Sequence, residues 1–324
     1  MRATELTITD VLSRDEIRSF TRSSNLAGAL AIAWIWLGIA ACFAVLAWQP
    51  HPLVFVGVVI VLGGRQLALA VAMHDAAHGT LFRTRWLNEH LTDWLCARPM
   101  WSDTARYRKH HLGHHAHTGT DRDPDLGLAL AEPMSRASLR RKILRDVSGA
   151  SGVRRVIALL AIDAELLRFD VGGNPTRAPF RSLGYHVWAL ARNIWKPTLA
   201  NAVLFGILSF VGSGWVFLAW AVAYLTMFSL VLRVRSLAEH ACTERTADQL
   251  RNTRTTRAGW LARITFAPLN VNFHLEHHLL PTVPWWQLPA LHRVLAARDV
   301  LPASSLVRGY IEVLRIVSAN QQRA

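Results

Sequence analysis

Charge is scarce in this sequence. Of 324 residues only 18% are Asp, Glu, Lys or Arg, against about 25% in an ordinary soluble domain. Lysine is nearly missing: Lys109, Lys142 and Lys196 stand against 33 Arg. The three cysteines, Cys42, Cys96 and Cys242, are far apart, which excludes a disulfide framework and a zinc knuckle. Apolar residues reach 52%, so the chain is neither disordered nor collagen-like. Its length accommodates one large domain or two small ones. The formal net charge is nevertheless +14. A nucleic-acid partner would explain it, unless the cations border apolar spans, so their positions decide.

Leu26 to Trp48 is 23 residues without a charge, enough to cross a hydrocarbon core, which takes roughly 20 helical residues. It is too long and starts too late for a removable signal peptide. After Gln49-Pro50-His51-Pro52 comes a second span, Leu53 to Met73, interrupted only by Arg65 and Gln66. Thr198 to Leu232 would be about 50 Å long as one helix, too long to cross once. Gly212-Ser213-Gly214 divides it into a hairpin whose first arm begins near Trp195. The expected fold is an all-α integral membrane protein with four transmembrane helices, about 26–48, 53–73, 195–211 and 215–232, in two hairpins. Residues 1–25 read as an N-terminal segment, 26–295 as the membrane domain and 296–324 as a C-terminal tail. The hairpin tips 49–52 and 212–214 contain no Lys or Arg, whereas 35 of the 36 cations lie in 1–25, 74–197 and 233–324. The positive-inside rule puts both termini and the middle segment in the cytoplasm, and it disfavours nucleic acid as a partner. A soluble helical protein with buried core helices would not keep its cations off both tips. Asn88 to Trp101 is moderately apolar and suits the membrane interface. Arg154 to Phe169 reads as an interfacial helix or as a helix of the cytosolic cap. Residues 170–184 read as a loop.

Ten of the 15 histidines fall in three clusters: His74 and His78; His110, His111, His114, His115 and His117; and His274, His277 and His278. An eleventh, His240, follows Glu239 beyond the fourth span. Spacings of three and four put side chains on one helical face, so His74 with His78, His111 with His114 and His115, and His274 with His277 and His278 each converge. His110 is also four residues from His114 and is an alternative to His111; His117 is ambiguous. His51, His90, His186 and His292 have no such context. One zinc is satisfied by four ligands. Eight imidazoles, with His240 a ninth, imply two metals. All-nitrogen ligation of this kind, without the Glu-x-x-His carboxylates of soluble di-iron bundles, fits a non-haem di-iron centre that activates O2.

These motifs resemble the integral-membrane fatty acid desaturase/hydroxylase family. His74-Asp75-Ala76-Ala77-His78-Gly79-Thr80, with Leu81-Phe82-Arg83 and Asn88, is similar to its first histidine box. Tyr107 to Thr118, followed by Asp123-Pro124-Asp125, is similar to the second. Asn272-Phe273-His274-Leu275-Glu276-His277-His278, with Pro281, Pro284 and Leu288-Pro289, is similar to the third. Arg235 to His240 resembles the element that supplies a further ligand. The resemblance spans about 26–295 and implies two irons, O2, two electrons per turnover and an aliphatic, fatty acyl substrate drawn from the bilayer. It makes His74, His78, His111, His114, His115, His274, His277 and His278 the catalytic metal ligands, with His240 as a further ligand. Asp75, Glu239, Glu276 and Asn272 are candidates to orient the imidazoles, and Asp123 and Asp125 to position the second-box loop.

No His-Pro-Gly-Gly haem signature, cysteine cluster or dinucleotide-binding glycine motif occurs. Electrons are therefore expected from a separate donor, a ferredoxin or cytochrome b5 with its reductase. Arg136, Arg140, Arg141, Lys142, Arg145, Arg154 and Arg155 could dock an acidic donor or anionic headgroups. Nothing in the sequence points to an oligomeric state. Three alternatives stand beside the lipid desaturase: a hydroxylase or ketolase of an acyl chain or carotenoid, since the H-D-A-x-H-G opening also occurs in carotenoid oxygenases; a desaturase of a small metabolite, in the style of the dihydrorhizobitoxine desaturase branch; and a histidine-rich metal transporter or sensor. The last would place ionisable residues along the spans, where only Arg65 is found.

Overall fold

A computed structural model describes residues 7–127, 131–169 and 175–318. The expected loop at 170–184 therefore falls partly outside the described residues. Two short helices, α1 (Ile8–Val11) and α2 (Arg14–Phe20), lead into α3 (Asn25–Trp48) and α4 (Pro52–Ala77). Ser13 and Glu16 form a reciprocal cap on α2, Glu16 N donating to Ser13 Oγ at 3.2 Å and Ser13 N to Glu16 Oε2 at 2.8 Å. Ser24 caps α3, and Pro52 opens α4 at a position where its missing N–H costs nothing. Two π-helical turns (Leu87–Leu91, Asp93–Ala97) and a 3-10 turn (Arg98–Met100) lead to α5 (Thr104–His117). Next come α6 (Arg136–Val147), α7 (Ala150–Asp163), a two-stranded antiparallel ribbon of β1 (Leu167–Phe169) and β2 (Pro175–Arg177), and α8 (Leu183–Phe210). The chain continues through α9 (Phe217–Leu225), α10 (Met227–His240), α11 (Gln249–Asn252), β3 (Thr255–Thr256), α12 (Trp260–Ile264), α13 (His274–Leu279), α14 (Leu288–Ala297), β4 (Leu306–Val307) and α15 (Tyr310–Val317). Strands β3 and β4 pair in parallel.

Three described helical stretches are long and apolar enough to cross a membrane: Arg14–Trp48, Pro52–Ala77 and Gly214–His240. α4 is the innermost. Leu62, Leu67, Leu69, Val71 and Ala72 on it are fully enclosed, whereas α3 exposes Leu26, Leu30, Trp34, Leu37 and Trp48 on its outer face. The main core lies where α3, α4, α9 and α10 meet, around Ile35, Ile39, Leu62, Trp220 and Phe228. The polar pair inside the second span has internal partners, as buried polar groups require. Arg65 Nη2 donates to the Ile264 carbonyl at 2.8 Å, and Gln66 Nε2 to the Trp220 carbonyl at 2.9 Å. Gly64 makes the first contact feasible, because a Cβ there would lie 2.3 Å from Ile264 O.

Helix α8 is longer than the expected 195–211 arm, starting at Leu183, and carries Arg192, Asn193, Lys196 and Asn201 among its apolar residues. It turns into α9 through Gly212, which holds a φ of 75°, a conformation only glycine adopts cheaply. The last apolar region is not one continuous helix. It breaks at Thr226, between α9 and α10. Thr226 and Ser229 both turn their hydroxyls back onto carbonyls four residues earlier, at 2.6 and 3.3 Å, a pairing that bends helices. Gly152 of α7 wedges against the break; a Cβ there would sit 2.0 Å from Leu225 O. Beyond the helices, α15 packs on α6 and α10 through Val313, Val317, Leu139 and Leu237, and Leu12 joins Leu288, Leu291 and Leu295 of α14 in a third small core.

Candidate metal centre

Four elements bring the histidines together. The C-terminal end of α4 supplies His74 and His78, α5 supplies His111, His114 and His115, the last residue of α10 is His240, and the six-residue α13 supplies His274, His277 and His278. The nine form two groups. His74, His78, His111, His115 and His277 make one; His114, His240, His274 and His278 make the other. Within each group the ring nitrogens on offer lie within 4.8 Å of one another. The second box is thus divided between the groups, and so is the third.

The nitrogen geometry is that of ligands around a cation. His115 Nε2 lies 3.1 Å from both His111 Nε2 and His277 Nε2. His274 Nε2 lies 2.8 Å from His240 Nε2 and 3.1 Å from His278 Nε2. A ring nitrogen has either one proton or one lone pair, so it cannot serve two such neighbours well. Metal–imidazole bonds of about 2.0–2.1 Å place ligands at right angles about 3 Å apart. In the first group His74 Nε2 and His78 Nε2 are buried without a hydrogen-bond partner, a costly arrangement unless a cation accepts their lone pairs. Burial first, and then the neighbouring imidazoles, lowers the pKa of His111, His115, His274, His277 and His278 below the usual range. The rings are therefore held neutral, the form that binds metal. The residues present fit two metal ions.

Four of the opposite ring nitrogens have a hydrogen-bond partner, whereas His115 Nδ1 and His274 Nδ1 are buried without one. His74 Nδ1 pairs with Asp75 Oδ1 at 2.8 Å, and His114 Nδ1 with Asp123 Oδ1 at 2.7 Å. His240 Nδ1 faces the Asn252 carbonyl at 3.2 Å, His278 Nδ1 faces Thr118 Oγ1 at 3.4 Å, and His274 Nδ1 lies 3.5 Å from Glu239 Oε1. Asp123 also accepts from the backbone N–H groups of Gly119 and Asp125, at 3.1 and 2.8 Å. Burial raises the Asp123 carboxyl, but His114 and these amides outweigh it and leave the pKa lowered. His110 stands outside both groups. Its Nε2 pairs with Asp125 Oδ1 at 2.8 Å, which raises its pKa despite partial burial.

Two expected orienting residues do other work. Glu276 accepts from Thr255 Oγ1 and pairs with His292 Nδ1, both at 2.5 Å, rather than with any of the nine histidines. Two residues after His274, it points from the opposite face of α13 and ties that helix to β3 and α14. Asn272 clasps Thr256, its Nδ2 donating to the Thr256 carbonyl at 3.0 Å while its own carbonyl accepts from Thr256 N at 3.1 Å. Sequence reasoning also overlooked supporting residues. Asn252 and His292 carry no motif, and Thr118, though it closes the second box, was given no role. Tyr107, which stacks on His111 at 5.1 Å between centroids, had a signal, its four-residue spacing on α5.

Beside the histidines lies a cavity of about 320 Å³, at the small end of ligand pockets, roughly 300–1,000 Å³. Its lining includes His111, His114, His240 and His274, apolar Ala70, Met73 and Leu232, and the charged Arg155, Arg235 and Glu239. Arg155, grouped by sequence with the outward basic residues, is instead a wall of this cavity.

Comparison with known proteins gives a consistent answer. Over 84% of its length the chain is 28% identical to dihydrorhizobitoxine desaturase of Bradyrhizobium elkanii, matching 76% of that protein. It is 24% identical to beta-carotene 4-ketolase 3 of Haematococcus lacustris over 83% of this chain and 71% of the relative. A beta-carotene ketolase of a Paracoccus species is 23% identical over 82% of this chain and 90% of its own. Residues 50–310, which hold both histidine groups, match the fatty acid desaturase family model, and with that match over most of its length the chain belongs to the fatty acid desaturase family.

Proposed function

We propose that this protein is an O2-dependent di-iron oxidoreductase of the membrane that introduces a double bond into an aliphatic, acyl-type chain. The observation that carries this reading is the pair of histidine groups opening on one cavity. His74, His78, His111, His115 and His277 would hold one iron, and His114, His240, His274 and His278 the other. When bound, the irons supply O2 activation and the oxidant that takes hydrogen from an unactivated C–H bond. The balance is one CH2–CH2 unit, one O2, two electrons and two protons giving CH=CH and two waters. The electrons come from a separate donor protein, a ferredoxin or cytochrome b5, because the sequence has no haem, iron–sulfur or dinucleotide motif of its own.

The chain's own residues bind, orient and exclude. Asp75 and Asp123 accept from Nδ1 and turn the Nε2 lone pairs of His74 and His114 inward. Met73, Ala70, Phe228 and Leu232 line the cavity with apolar surface and keep water from the reacting carbon. We place both termini and the histidine face in the cytoplasm, on the support of the cation distribution. α8 is the proposed fourth crossing, supported by its exposed Leu199, Val203, Phe205, Ile207 and Phe210.

Oxygen insertion is a second reading, supported by the ketolase relatives; the same site would hold the same metals. Untargeted mass spectrometry of lipids and small metabolites, in cells with and without the chain, separates the two. Desaturation gives products lighter by two hydrogens, insertion gives products heavier by oxygen, and an unchanged profile with donor supplied overturns the proposal.

A further inference from the structure

The cavity beside the histidines is not a purely apolar tunnel. One charge pair in its wall is self-contained: Arg235 Nε donates to Glu239 Oε1 at 2.6 Å. Arg155 is different. Its Nη1 donates to Ser229 Oγ at 2.9 Å and its Nη2 to the Tyr224 carbonyl at 2.6 Å, both neutral acceptors. Its Nε is buried with no acceptor, and no carboxylate pairs with it among the described residues. The guanidinium is held over the rings of Tyr224 and Phe228, 4.6 and 4.7 Å from their centroids, so it is fixed in place. The break at Thr226 and the close approach of Gly152 to Leu225 are what bring α7, and with it Arg155, to this wall.

A second cavity, of about 460 Å³, shares Arg155, Leu232 and Ser236 with the first and is lined further by Lys142, Asp146, Ser151 and Arg233. Arg155 therefore stands at a junction. On one side are the histidines; on the other is a polar antechamber in which Asp146 answers Arg233 and Lys142 has no ion-pair partner among the described residues. Along α10, Phe228 beneath the guanidinium and Glu239 beside the histidines are separated by about 16 Å of helix at roughly 1.5 Å per residue. A linear ligand can span that distance.

We propose that Arg155 is a substrate anchor, and that the substrate is a linear aliphatic carboxylic acid whose carboxylate rests on Arg155 while its chain reaches the histidines. This rests on the reading of the histidine groups as the reacting centre. A carboxylate supplies the negative charge that the neutral partners of Arg155 do not, and guanidinium pairs with it more strongly than with a neutral acceptor. A neutral hydrocarbon leaves the guanidinium without a counter-charge.

The test is calorimetric binding of octanoate and of its neutral analogue octanamide to the iron-loaded full chain in nanodiscs, with protein-free nanodiscs as the blank. The wild type should bind octanoate at least ten-fold more tightly than octanamide. Arg155→Leu should bind the two alike, and Arg155→Lys should keep part of the preference because it keeps the charge without the fork. Equal affinity of the wild type for both ligands, or a full preference in Arg155→Leu, overturns the proposal. Iron is measured on the same samples. A wild type that takes up no iron overturns the functional reading, whereas an absent carboxylate preference with iron in place overturns the anchor alone.

Discussion

Replacing Asp123 with Ala should cost the protein one metal before the other. Asp123 is buried and serves three donors at once: His114 Nδ1 at 2.7 Å, Asp125 N at 2.8 Å and Gly119 N at 3.1 Å. Without it His114 loses the acceptor that fixes its tautomer and ring orientation, and outer-shell changes of this kind typically cost about 10–100-fold in metal affinity, about 1.4–2.7 kcal/mol. The two backbone amides lose a partner as well, at about 1–3 kcal/mol for each that stays unsatisfied and buried, so the 119–125 turn should loosen. Because His114 belongs to the four-histidine group alone, the loss should be confined to one site. The assay is iron content after dialysis against graded chelator. Wild type should release its irons together at high chelator, whereas Asp123→Ala should give up one at roughly 10–100-fold lower chelator and keep the other. Asp123→Asn, with one oxygen left to accept, should fall between. Parallel loss of both irons from a folded variant, or an unchanged release curve, would refute the division of the histidines into two separate groups.

The two candidates of the second box should separate cleanly. His111→Ala removes a ligand and should lower bound iron, whereas His110→Ala removes only the partner of Asp125 and should leave the iron stoichiometry at the wild-type value by metal analysis. Gly152→Ala drives a methyl group into the Leu225 carbonyl, and overpacking of this kind costs about 1–3 kcal/mol; the thermal midpoint should fall in differential scanning calorimetry. Glu16 holds Arg298, and this pairing, with the Ser13 N–H, lowers its pKa from 4.5 to about 2. A depressed carboxyl stabilises the folded state above its ordinary pKa and loses that contribution as pH falls. The protection factors of the α2 amides, taken against the intrinsic exchange rate at each pH, should therefore be high above pH 4.5 and fall as pH drops toward about 2, and Glu16→Gln should show low protection throughout.

Much of the site was legible because its chemistry is written at helical spacing. His74 and His78, four apart, fall on α4, and the third box falls on a helix only six residues long whose faces still sort His274, His277 and His278 from Glu276. The same periodicity, applied to position 276, would have separated that carboxylate from the imidazoles. A residue that meets the site only through tertiary contact left no trace in the sequence: Asn252 lies 134 positions from Thr118 and is joined to it by a 3.1 Å bond from its Nδ2 to the Thr118 carbonyl. The break at Thr226 was hidden for another reason. Hydropathy stays high through Leu225-Thr226-Met227, and the signal is only a pair of back-bonding hydroxyls. That break, invisible in composition, makes room for Arg155. The cations were informative in bulk and misleading singly, since Arg65 and Arg155 both serve interior contacts.

The most direct test of the account is the metal content of the purified full chain, with Mössbauer spectroscopy after enrichment in 57Fe. Nine imidazoles, six of them buried, in groups of five and four predict two irons per chain in nitrogen-rich sites, His277→Ala depleting one site and His278→Ala the other. A chain that holds a single zinc, or that turns over substrate without iron, would contradict it.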